Sequence, residues 1–104
     1  MKFRFQEISQ FNAEVTVVLP GGAEQVFTGI FRYLDDKDVE VNLKKSNVEF
    51  LREIWIGWDG IIGPDDQPLT YDADMREQML RHTYIHSAVL MAFVNGRLGL
   101  RTKN

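Results

Sequence analysis

The chain is 104 residues long, has no cysteine and carries a formal net charge of -3, with 44% hydrophobic and 12% aromatic residues. That length suits one domain with its own core; the missing thiols exclude a disulfide framework and thiolate chemistry, and the acidic balance argues against an electrostatic nucleic-acid binder. No apolar run approaches the roughly 20 residues of a membrane span, and Met1 to Gln10 lacks the apolar stretch of a signal peptide, so a protein of the cytoplasm with no membrane partner is expected.

In chain order, Phe3, Phe5 and Ile8 can add a short edge strand or pack as an anchored tail. Phe11 to Leu19 reads as a strand, with Val15, Val17 and Leu19 alternating with Glu14, Thr16 and Val18. Pro20-Gly21-Gly22 is a turn, and Ala23 to Leu34 resumes the strand pattern. Both parities of this second strand are apolar, which predicts a central strand or one covered on both faces. The two segments form an antiparallel hairpin over residues 10–34, with Gly29 as a candidate bulge.

Asp35-Asp36-Lys37-Asp38 suits the start of a short helix from Val39 to Lys45, where the acids complement the macrodipole. Only Val39 and Leu43, four apart, supply an apolar stripe there. Ser46 with Glu49 three residues on is a capping box, so a helix starts at Asn47. Val48, Leu51, Ile54, Trp55 and Trp58 fall at helical spacing on one face of it, and Asp59-Gly60 ends it. Trp58 to Leu69 is a tight loop, with Ile61 and Ile62 as a very short strand and a turn at Gly63-Pro64-Asp65-Asp66.

Thr70 or Asp72 caps a helix from Ala73 to Arg81 with Met75, Met79 and Leu80 inward, and Thr83 caps the last helix, Tyr84 to about Leu98. There Ile85, Ala88, Val89, Ala92 and Phe93 form a stripe, and Leu90, Met91 and Val94 lie beside it. A helix apolar nearly all round is deeply buried or shared with a partner. Gly96 and Gly99 loosen its end, and Arg97, Arg101 and Lys103 suit a C-terminal turn or tail. The expected fold is α+β: an N-terminal antiparallel β-hairpin or small sheet packed against three to four helices, in one domain of residues 1–104 whose helical part is 36–98.

Few residues suggest chemistry. His82 and His86 stand at i and i+4 without a third ligand of matching spacing, so no metal is expected. Asp35, Asp36, Asp38, Asp65 and Asp66 read as solvated turn acids rather than a catalytic pair. Pro20-Gly21-Gly22 lacks the Lys-Ser/Thr of a phosphate loop, and Ser46 and Ser87 have no nucleophile-elbow context. Neither an enzyme nor a cofactor site is expected. Trp55 and Trp58 both fit a core, the alternative being that one of them faces a partner.

Phe27 to Leu34, Phe50-Leu51, Ile56-Gly57-Trp58-Asp59-Gly60-Ile61, an Asp-rich loop, Pro68-Leu69-Thr70-Tyr71 and a closing apolar helix with Ala88, Ala92 and Phe93 follow one another in this order. From about Gln25 to Leu98 the chain resembles the small tail assembly chaperone proteins of long-tailed phages and prophages; its N-terminal hairpin departs from that pattern. The resemblance implies a non-catalytic factor of virion morphogenesis in the bacterial host cytoplasm, with the tape measure protein and the tail tube protein as partners. The surface expected to bind them is Leu90, Met91 and Val94 with Trp55 or Trp58, while Met75, Met79 and Met91 add adaptable contacts. The alternative is a generic protein-interaction or self-associating module of prophage origin, with a homo-oligomer among its expected forms and no tail role.

Overall fold

Leu19 and Ala23 close the first reversal of the chain. The Leu19 amide donates to the Ala23 carbonyl at 2.7 Å, and Gly21 and Gly22 take φ of 100° and 105°, a region open mainly to glycine. A computed structural model describes residues 1–100, and in it this turn joins β1 (Gln10–Val18) to β2 (Glu24–Arg32). The strands pair antiparallel without interruption, from Gln10 opposite Arg32 to Val18 opposite Glu24. Val15 and Val17 of β1 and Phe31 of β2 point to the same side and are buried.

Beyond the hairpin come α1 (Asp36–Asn42), α2 (Asn47–Ile54), β3 (Trp55–Asp59), α3 (Ala73–Leu80) and α4 (Thr83–Arg97). The fold of the described residues is α+β, a three-stranded antiparallel sheet in the order β1-β2-β3 with four helices. The capping box of Ser46 and Glu49 is present, each accepting from the other's backbone amide at 3.2 Å. The helix it opens ends at Ile54, however, and does not reach Trp58. Trp55 to Asp59 is instead the third strand, so the region 36–98 is not purely helical. Along β2, Phe31 opposes Trp55 while Ile30 opposes Gly57, which leaves Ile56 as the extra residue of a bulge. A bulge shifts side-chain parity by one. Trp55 and Trp58, three apart, therefore share the core face of a strand, an arrangement whose spacing in sequence matches that of a helix.

α4 lies across β1 and closes the core. Val89, Ala92 and Phe93 are its buried residues, and Phe93 meets Phe31 at 5.8 Å and Phe50 at 5.4 Å between ring centroids, both edge-on. Leu51, Ile54 and Trp55 complete the interior, each at 0% exposure. Fully burying a side chain of this kind stabilises the fold by roughly 1.5–3 kcal/mol.

Several local expectations change. β2 is central, but only one of its faces is covered, since Val26 on the other remains exposed. Gly29 pairs with Ala13 in an unbroken ladder and is no bulge; its missing Cβ leaves room for the Phe31 ring, whose Cε2 and Cζ would lie 2.8 Å from such an atom. His82, not Thr83, occupies the N-cap of α4 and makes no side-chain cap bond, while Asp72 caps α3 through the Asp74 amide at 3.0 Å. Gly96 sits inside α4 against Phe11 rather than loosening its end. Gly99, at φ 76°, forms a Schellman ending in which the Leu100 amide donates to Asn95 at 2.8 Å and the Gly99 amide to Gly96 at 3.0 Å. Residues 1–9 form neither strand nor packed tail, and Phe3, Phe5 and Ile8 are exposed. Arg101 and Lys103 lie outside the described residues.

Candidate protein-binding groove

Asp35 starts one wall of a cleft between α1 and α4. Its carboxylate accepts from the Asp38 amide at 2.9 Å, which caps α1 and sets Val39 and Leu43 on the side toward α4. From the other side come Leu90, Phe93 and Val94 of α4, and Phe50 of α2 lies between. The cleft measures about 310 Å³. Arg97 holds its end, donating from Nε to the Leu34 carbonyl at 2.8 Å and from Nη2 to Asp36 at 2.7 Å, with the guanidinium 5.6 Å from the centre of the Tyr33 ring.

The chemistry of this cleft is apolar. Of its four polar lining residues, the Asn42 amide already donates to the Asp38 carbonyl at 2.8 Å, Arg97 is committed as above, Lys45 pairs with Glu53 at 4.0 Å, and Asn47 stands at the start of α2. A small polar ligand needs converging donors and acceptors, which these residues do not offer. Apolar side chains of a partner fit it better. Beside the cleft, Met91, Val94 and Leu98 follow at i, i+3 and i+7 and are 61%, 44% and 61% exposed, and Leu43 across from them is 69% exposed. Such a stripe with an adjoining cleft is the form of a helix-binding groove.

The predicted site residues divide accordingly. Leu90 and Val94 line the cleft, and Met91 extends the exposed stripe. Trp55 and Trp58 do not join them: at 0% and 7% exposure both belong to the core, because the strand bulge turns both inward. Met75 is half-buried beside the core, and Met79 helps line a second cleft of about 270 Å³ between the β-hairpin and the start of α4. Val39 and Leu43 were missed as groove residues; their four-residue spacing was the available signal.

Among the other candidates, Asp65 and Asp36 have structural partners, whereas Nδ1 of His86 is buried without one among the described residues. Asp65 accepts from the Gln67 amide at 3.1 Å within its turn, and Asp36 pairs with Arg97. His82 stands exposed at the N-cap and His86 half-buried one turn on, and among the described residues no group of three or more His, Cys, Asp or Glu could hold a metal. No helix among them is long and apolar enough to cross a membrane. No protein-family model matches the sequence, and no curated protein or solved structure matches it.

Proposed function

We propose that this protein is a non-catalytic binding factor of phage tail morphogenesis, a chaperone that receives an apolar helical segment of the tape measure protein in the groove between α1 and α4 and helps to recruit tail tube subunits. The observation that carries the binding role is the exposed stripe of Met91, Val94 and Leu98 beside an apolar cleft. The tail role comes from the likeness of the segment from Gln25 to Leu98 to tail assembly chaperones. A tape measure is a long, repetitive helix, and a shallow apolar groove edged by a flexible methionine can accept successive imperfect repeats.

Co-expression with the tape measure protein encoded nearby, followed by size-exclusion chromatography with light scattering, tests the proposal. A co-eluting complex with several copies of this chain is expected. Val94→Asp should weaken it by about 30-fold or more, the equivalent of one interface hot spot of about 2 kcal/mol. A complex that tolerates Val94→Asp would remove the groove from the proposal, and the absence of any complex would remove the tail role.

A further inference from the structure

Residues 1–8 carry four large apolar side chains that the chain itself leaves uncovered: Met1, and Phe3, Phe5 and Ile8 at 88%, 75% and 59% exposure. Among the described residues the segment is anchored at its base, where the Tyr33 amide donates to the Ser9 carbonyl at 2.9 Å. Tyr33 is the ring under Arg97, and Arg97 lines the α1–α4 groove, so the arm leaves the fold at the edge of that groove. It runs past Tyr33, Asp35 and Asp38 of its own chain without burying any of its residues.

We infer that this arm is the occupant of the same groove on a second copy of the chain, giving a reciprocal arm-exchanged dimer. Three features fit. The arm alternates basic and aromatic residues, Lys2, Phe3, Arg4, Phe5, and the acids next to Val39 and Leu43 at the outer edge of the cleft are Asp36 and Glu40, while the two cations on its lining, Lys45 and Arg97, are already paired with Glu53 and Asp36, so an incoming arm finds Glu40 as its acidic contact there. The cleft is lined by Val39, Leu43, Leu90 and Val94 and takes apolar side chains. Eight extended residues reach about 26–29 Å, beyond the protein's shortest dimension of 25 Å, so an arm can span to a neighbour. The inference stands on these surfaces and not on the tail role. It makes the free dimer a closed state whose grooves open when a partner segment displaces the arms.

Light scattering on the full chain, with two variants at exposed positions, decides it. The native chain is expected at twice 12.1 kDa, and Phe3→Ser/Phe5→Ser and Val94→Asp each as monomers with unchanged circular dichroism. A labelled Val94→Asp chain, with an intact arm, should then bind the arm variant, with an intact groove, saturably by fluorescence anisotropy, although neither associates with itself. A monomeric native chain, a dimer that survives the arm substitutions, or two variants that ignore each other would overturn the inference.

Discussion

The indole Nε1 of Trp58 donates to the carbonyl of Leu69 at 2.7 Å, a bond from the buried edge strand to the far end of the loop that follows it. Around it, the Trp58 ring meets Tyr71 edge-on at 4.9 Å, and the Tyr71 hydroxyl accepts from Arg76 at 3.0 Å. Arg76 donates in turn to the Trp55 carbonyl at 3.1 Å. The Gly57-Trp58-Asp59-Gly60 element and the Pro68-Leu69-Thr70-Tyr71 step are thus two halves of one structure. Trp58→Phe keeps most of the apolar bulk but leaves the Leu69 carbonyl without its donor, and should cost about 1–3 kcal/mol. Urea unfolding measures this; an unchanged midpoint would mean that the loop is held by its apolar contacts alone.

Gly96 is a glycine of close approach and Gly99 a glycine of conformation. A Cβ at Gly96 would fall 2.7 Å from Cε1 of Phe11 and 2.9 Å from Cβ of Ala13, whereas one at Gly99 would meet nothing within 4 Å. Alanine in a helix interior ordinarily gains about 1 kcal/mol over glycine. At Gly96 the displacement of β1 from α4 should reverse that sign, giving a net loss of about 1–3 kcal/mol. Gly99→Ala should lose about 1–2 kcal/mol through its left-handed backbone alone. The two separate in near-ultraviolet circular dichroism, which should change for Gly96→Ala, where Phe11 must move, and not for Gly99→Ala.

The hairpin, the α2 cap and the buried stripe of α4 were readable because each is written in local chemistry: Gly21-Gly22 for the turn, Ser46 with Glu49 for the cap, Val89 and Phe93 four apart for the stripe. β3 was not readable for a physical reason. A three-residue spacing such as Trp55 to Trp58 places side chains together on a helix, and a bulged strand does the same. Only pairing with β2, from residues 28 to 31, decides between the two. The groove was half legible. The apolar excess at Leu90, Met91 and Val94 marked one wall, but α1 supplies the other through Arg97, 61 residues from Asp36, and no local pattern encodes a contact at that distance.

Ser46 begins the helix that carries Phe50 and Leu51 into the core. Its hydroxyl accepts from the Glu49 amide and the Glu49 carboxylate accepts from the Ser46 amide. Ser46→Ala should therefore cost about 1 kcal/mol, whereas Ser46→Asp, which still accepts the Glu49 amide and sits at the positive helix end, should stay near the native value. Thermal unfolding of the two variants side by side provides the check; equal losses would show that the cap contributes nothing specific.

Arg97 joins the end of α4 to the β2–α1 connection, and its two hydrogen bonds differ in strength. The bond to the Leu34 carbonyl is part-buried, while the Asp36 carboxylate is fully exposed and screened by solvent. Arg97→Leu should accordingly lose about 1–3 kcal/mol, set by the stranded carbonyl and the lost donor, whereas Asp36→Asn should leave the urea midpoint where it is. Because Val39 and Leu43 follow directly from this connection, Arg97→Leu should also loosen α1 against α4. Hydrogen exchange of the α1 amides, from Val39 to Leu43, is expected to quicken in Arg97→Leu beyond the change in global stability. Exchange that rises only in step with global unfolding would mean that α1 is held by Val39 and its apolar neighbours without Arg97.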